Sequence, residues 1–237
     1  MKRKIILLTI SSLIQSTILF GQEQQLTPPK PDFTFGANLI LSNPTGDFKS
    51  TSISNQDAGF AEFGAGIGIF SHFEYKNGFF VEINADYTRR RSTAMDGVVA
   101  AIEEIFDEQI ASQGLEYTAR NNPGYRHLSL MIGPGFNFKT EDLDVYIRGE
   151  IGMAFTRLTA SSIVDSNDQS YSFQSSDETV AAIGLGAGVV LFDVLRFDFS
   201  AVNLGNPKFR LRANDPSTEF SLPIQVFEIG VGLMIVK

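Results

Sequence analysis

Apolar and polar residues alternate along eight stretches of the chain, most clearly from Leu143 to Leu158. Val145, Ile147, Ile151, Met153 and Phe155 fall on one face, while Asp144, Tyr146, Arg148, Glu150 and Thr156 fall on the other. A period of two is that of an extended strand with one apolar and one polar face. The pattern predicts strands at Phe33–Leu41, Phe60–Tyr75, Phe79–Arg90, Tyr125–Phe138, Leu143–Leu158, Thr179–Phe192, Leu195–Leu204 and Leu222–Val236. Most exceed the roughly 9–11 residues that a tilted strand needs to cross a bilayer.

The connections fall into two sets. Lys76-Asn77-Gly78, Lys139 to Asp142 and Asp193-Val194 read as tight turns, the first with the Asn-Gly signature of a two-residue hairpin. Asn43–Gly59, Arg91–Gly124, Thr159–Ser175 and Gly205–Ser221 are long and polar. An even strand number with short turns at one rim and long loops at the other is the outer-membrane barrel pattern, with the long loops outside. The expected fold is therefore all-β: an eight-stranded antiparallel up-and-down transmembrane β-barrel. A soluble sandwich has no reason to alternate its loop lengths in this way.

Side-chain parity then assigns two faces. The outward set includes Phe35, Leu39, Ile67, Ile69, Ile83, Tyr87, Leu128, Leu130, Ile132, Leu185, Phe199, Ile229 and Leu233. The inward set carries Glu62, Glu82, Asp86, Arg90, Arg148, Glu150, Arg196, Asp198 and Glu228. Both signs are present, and charges in a narrow lumen must pair or be hydrated, so an internal ion-pair network is expected. Eight strands leave a lumen that side chains fill, which argues against a wide diffusion pore.

The N-terminus reads as an export signal. Lys2, Arg3 and Lys4 precede an interrupted apolar stretch from Ile5 to Phe20, and Gly21 suits cleavage just before Gln22. That stretch is short and polar for a spanning helix. The expected organisation is a signal peptide over 1–21, a flexible periplasmic lead over 22–32 and an outer-membrane barrel over 33–237. Cleavage would remove three positive charges and no negative ones, taking the formal net charge from −8 to −11. Such a balance argues against nucleic acid as a partner. With no cysteine and two histidines, neither disulfides nor a transition-metal site is expected, and no cofactor is implied. The 21 Phe and 6 Tyr often fall near strand ends, where aromatic girdles belong, although Trp is absent.

Three motifs carry candidate chemistry. Gly64-x-Gly66-x-Gly68 and Gly184-x-Gly186-x-Gly188 look like phosphate-cradling loops, but a nucleotide loop must precede a helix. At period two inside strands they instead relieve crowding in the lumen. His127-x-Ser129 with Glu141 resembles the His-x-Ser…Glu set of the PagL lipid A deacylases, which implies a lipid-facing hydrolase triad. Leu128, Leu130 and Ile132 claim the lipid face here, however, which turns His127 and Ser129 inward and leaves Glu141 in a turn at the opposite rim. A triad works only within hydrogen-bond reach. His72 faces the lumen and reads as a hydrogen-bonding residue rather than a ligand.

In the second long loop, Asp96 to Gly114 has helical spacing. Val98, Ala101, Ile102, Ile105, Phe106 and Ile110 form one stripe, and Glu103, Glu104, Asp107 and Glu108 form an acidic remainder. Two readings stand: a helix folded over the barrel mouth, or a docking face built on Val98, Ile102, Ile105 and Phe106. In the last strand, Glu228, Gly230, Leu233 and Ile235 resemble the β-signal read by the outer-membrane assembly machinery, without the usual terminal aromatic.

Asn43-Pro44-Thr45-Gly46-Asp47-Phe48, Gly184 to Val190, Leu195 to Asp198 and Asn203-Leu204-Gly205 resemble the small OmpA/opacity-type outer-membrane barrel domains over roughly residues 33–237. The signal ending Phe-Gly-Gln is similar to those of Bacteroidetes outer-membrane proteins, among which the PorT-like barrels include members that serve a secretion system. The resemblance implies an integral outer-membrane protein in contact with outer-membrane lipid and lipopolysaccharide. The expected role is structural or interactive, with a protein partner at the long loops. A lipid A-modifying hydrolase, a secretion accessory and a narrow channel are the alternatives.

Overall fold

The computed structural model describes residues 32–51, 59–94, 96, 99, 116–140, 143–168, 170–211 and 218–236. Eight strands close into one antiparallel barrel: β1 (Asp32–Thr45), β2 (Ala61–Glu74), β3 (Phe79–Ser92), β5 (Gly124–Lys139), β6 (Leu143–Leu158), β9 (Ser176–Leu191), β10 (Leu195–Asn203) and β13 (Gln225–Val236). Each pairs with its sequence neighbour in the barrel, and β1 closes on β13 from Thr34↔Val236 to Thr45↔Gln225. Closure leaves no free edge, so every strand satisfies its backbone groups within the sheet. That is the condition for residing in hydrocarbon.

The two faces separate as the parity demands. Leu39, Ile67, Ile151, Leu185 and Ile235 are each more than 60 % exposed, and they belong to a broad apolar exterior. Inside lie Glu82, Arg90, His127, Arg148, Glu150, Arg196 and Asp198, all buried. An apolar exterior of this extent far exceeds the few hundred Å² that water-soluble monomers expose. Along β5 the outward apolar positions run from Leu128 to Phe138. At about 3.3 Å per residue and a tilt of about 40°, that gives an apolar band roughly 25 Å tall, the thickness a membrane barrel presents to lipid.

Two details depart from simple alternation. The register of β2 on β3 slips between Ala61↔Ser92 and Gly64↔Arg90, so β2 holds one extra residue there. This bulge inverts parity: Ala61 turns inward, and Glu62, expected in the lumen, is exposed on the outer side. The Asn77-Gly78 turn is a three-residue loop rather than a two-residue one. Gly78 N–H donates to Tyr75 O at 3.0 Å, Tyr75 N–H donates to Phe79 O at 2.8 Å, and only Gly78 takes positive φ (+82°). A turn followed by a left-handed glycine replaces the mirror-image turn that Asn-Gly alone suggests.

The long connections are more ordered than their polarity suggests. A short helix, α1 (Gly46–Lys49), follows β1. Strands β4 (Tyr117–Asn121), β7 (Ser161–Asp165) and β8 (Ser170–Phe173) pair as a three-stranded sheet from the second and third long loops. Strands β11 (Lys208–Leu211) and β12 (Thr218–Ser221) form a hairpin between β10 and β13. The expected Asp96–Gly114 helix lies outside the described residues, except that Asp96 and Val99 are helical.

Candidate functional site

Within the barrel, the inward side chains form successive layers from the short-turn rim to the long-loop rim. At the short-turn rim a cavity of about 310 Å³ is lined by His72, Glu74, Asn137, Lys139 and Asp144, with Tyr146 and Arg196 at its inner end. Lys139 Nζ lies 2.9 Å from Glu74 Oε1, and His72 lies between Glu74 and Glu82 at 3.6 and 3.2 Å.

The next layer crosses the lumen with buried charged side chains. Arg196 grips Glu82 with both terminal nitrogens, at 2.6 and 2.8 Å, and donates from Nη2 to Asp198 at 2.7 Å. Its Nε–H reaches Tyr146 Oη at 2.7 Å, and its guanidinium stacks 4.2 Å from the Phe70 ring centroid. Arg148 donates from Nη1 to both oxygens of Asp198 and lies 2.9 Å from Glu150 and 3.5 Å from Glu82. Asn84 donates to Glu150. Two arginines thus face three carboxylates, all of them buried, where charge-assisted bonds are strong and an unpaired charge would be costly. Asp86 lines the same wall, opposite Ser129 across β3 and β5.

Glycine makes room for these groups. A Cβ at Gly186 would sit 2.9 Å from Arg148 Cζ, and one at Gly64, Gly68 or Gly188 would overlap Arg90, Asp86 or Tyr146. The period-two glycines therefore serve as clearance for large inward side chains, not as a phosphate cradle.

Towards the long loops the lumen changes character. Arg90 donates to Ser42 Oγ and lies 3.3 Å from Glu228, which also accepts from the Ser42 hydroxyl at 2.8 Å. Above them Phe48 of α1 is completely buried, edge-on to Tyr125 at 5.0 Å and 5.9 Å from the Arg90 guanidinium. Leu204, Phe209, Leu222, Ile224 and Val226 complete an apolar plug, so α1 and the base of the β11–β12 hairpin turn inwards. Neither feature follows from the strand pattern. Lys208-Phe209-Arg210-Leu211 does alternate and could have revealed β11, but nothing in the sequence places Phe48 inside the barrel mouth.

The lumen thus brings together eight of the nine expected charges: Glu82, Asp86, Arg90, Arg148, Glu150, Arg196, Asp198 and Glu228. Glu62 is the exception. His127 and Ser129 also face inward: His127 Nδ1 lies 3.1 Å from Thr156 Oγ1, and Ser129 donates weakly to Asp86 O at 3.5 Å. Glu141 lies outside the described residues. In β13, Glu228 and Gly230 face the lumen while Leu233 and Ile235 face outward. The docking stripe of Val98, Ile102, Ile105 and Phe106 falls outside the described residues.

A closed eight-stranded barrel with an apolar exterior, paired internal charges and loops of two lengths defines an integral β-barrel protein of the outer-membrane type. Solved structures with a similar arrangement include the attachment invasion locus protein Ail of Yersinia pestis in complex with sucrose octasulfate (13 % identity, 87 % of this chain and 99 % of that one, TM-score 0.45). OprG of Pseudomonas aeruginosa (11 %, 89 % and 98 %, TM-score 0.47) and the neisserial surface protein NspA (12 %, 86 % and 97 %, TM-score 0.43) are others. No family model and no curated protein matches the sequence.

Proposed function

We propose that this chain is an exported, non-enzymatic outer-membrane barrel that acts through its surfaces rather than through its lumen. The supporting observation is that the lumen is filled in two consecutive layers, the Glu82–Arg196–Arg148–Asp198 network and the Phe48 plug. Both consist of well-packed buried groups, while the second and third long loops build a separate β4–β7–β8 sheet. A barrel that fills its interior with packed side chains offers its loops and its lipid-facing wall for work.

An enzyme reading finds little support. His127 is paired with a threonine and faces the lumen, so a lipid ester travelling along the outer wall cannot reach it. Replacing Ser129 with alanine is expected to leave lipid A composition unchanged.

The partner chemistry proposed for the loops is a protein surface, with the Val98–Phe106 stripe as its apolar element and the surrounding acidic residues as its rim. Cross-linking in intact cells tests this reading. A discrete adduct should form with the full chain and vanish when residues 96–114 are deleted; identical adducts from both would overturn it. The β-signal reading of Glu228, Gly230, Leu233 and Ile235 predicts slowed membrane assembly for Gly230→Asp, and export predicts a mature N-terminus near Gln22.

A further inference from the structure

The lipid-facing wall carries a cationic row that the lumen does not explain. Arg89 on β3 stands opposite Arg126 on β5, which stands opposite Arg157 on β6. All three have outward parity, and Arg91 repeats the pattern one step nearer the loops. Adjacent strands are about 4.8 Å apart, so the row spans roughly 10 Å across the wall. One step towards the membrane lies the apolar row Tyr87, Leu128 and Phe155, at the upper edge of the apolar band.

This clustering is confined to one sector. Strands β1, β2, β9, β10 and β13 carry no outward Lys or Arg, although the chain as a whole has a formal net charge of −8. Nor is the row consumed by internal pairing. Arg157 is held by Asp177, with Nη2 to Oδ2 at 2.6 Å, but Arg89 and Arg126 have no ion-pair partner among the described residues. Arg126 Nε is buried and has no hydrogen-bond partner among them either. Two surface cavities meet at this residue. One of about 710 Å³ has Tyr87, Leu128 and Phe155 as its floor and Asp177 and Glu178 at its far edge. The other, of about 680 Å³, includes Arg89, Arg91 and Glu62.

We infer that this sector is a binding site for a phosphorylated glycolipid of the outer leaflet, of the lipid A type. The lower groove accepts acyl chain along its aromatic and aliphatic floor. The guanidinium row above it meets phosphate at the depth where headgroups begin. Guanidinium suits such a ligand because it presents a planar fork to phosphate oxygens and is always charged. With Arg157 held by Asp177, the free guanidiniums are those of Arg89 and Arg126, on adjacent strands about 4.8 Å apart. Their place at the long-loop rim, which faces the outer leaflet, favours the phosphorylated glycolipid of that leaflet over a phospholipid. The acidic edge formed by Glu62 and Asp177 bounds the site and confines the anion to the Arg89–Arg126 centre. The inference rests on the long-loop rim facing the outer leaflet, but not on any loop partner.

The test uses the full protein purified from membranes in detergent, with bound lipid counted by native mass spectrometry. The probes are bisphosphorylated lipid A, the same lipid after dephosphorylation, and phosphatidylglycerol. Wild-type protein should bind bisphosphorylated lipid A at least about tenfold more tightly than either other lipid. The Arg89→Gln/Arg126→Gln double variant should lose that preference while keeping its heat-modifiable mobility, and Lys139→Gln, at the opposite rim, should keep it. Binding of the double variant within about twofold of wild type would overturn the site. Equal wild-type affinity for phosphatidylglycerol would overturn the choice of glycolipid. If the double variant fails to fold, the comparison between phosphorylated and dephosphorylated lipid on wild-type protein decides alone. Loss of the site would leave the loop cross-linking result untouched, so the two readings fail separately.

Discussion

Arginine occupies two settings in this barrel, and the contrast between them separates architecture from recognition. Arg148 and Arg196 point into the lumen, where each is locked by at least two carboxylates within 3.5 Å. Arg89 and Arg126 sit only a strand surface away, on the opposite parity, and have no carboxylate partner among the described residues. Inside, both guanidiniums are buried, so their charge is tolerated only when neutralised by neighbouring carboxylates. At the membrane boundary, charge can wait for an external anion. The same side chain thus reports packing in one setting and an available surface in the other.

The contrast predicts steeply different costs. Glu82→Gln should destabilise the barrel most, by about 3–5 kcal/mol, because it leaves Arg196 buried with one of its partners neutral. Denaturant midpoints of the refolded protein measure it, and the additional change Arg196→Met should recover part of the loss. A stability drop below about 1 kcal/mol for Glu82→Gln would mean that the lumen is hydrated rather than closed.

Phe48→Ala probes the other lumen layer and should cost about 3 kcal/mol, the low end for a fully buried phenylalanine, because a loop can partly collapse into the space. Gly186→Ala should cost roughly 1–3 kcal/mol by pressing on Arg148, with thermal mobility shifts on gels as the readout. Arg89→Gln, on the outer wall, should change stability by no more than about 0.5 kcal/mol in detergent free of phosphorylated lipid. A larger loss there would make the outward row structural and erase the contrast.

The eight strands are legible in the sequence because the membrane enforces the signal. A residue facing lipid must be apolar and its neighbour facing the lumen need not be, so alternation persists over whole strands such as Leu143–Leu158. The charged lumen is legible by the same parity. Where alternation is relaxed, reading fails for identifiable reasons. Glu62 is misplaced because the bulge between Ala61 and Gly64 inverts parity, and no residue type announces such a bulge. The Phe48 plug escapes notice because its partners, Tyr125, Phe209 and Ile224, come from three distant segments that only the closed barrel brings together. The arginine row is visible as separate residues, but its meaning depends on the register of β3, β5 and β6. Register is a property of pairing, which one strand's pattern does not carry.

The proposed function, with the lumen filled by two layers of buried side chains, predicts that no ions pass through it. The decisive measurement is therefore ion conductance across planar bilayers containing the refolded protein. No steady current is expected from protein that shows the heat-modifiable mobility of a folded barrel. A stable open-channel current from the same preparation would refute the sealed lumen, because neither the Glu82–Arg196 layer nor the Phe48 plug could then close it.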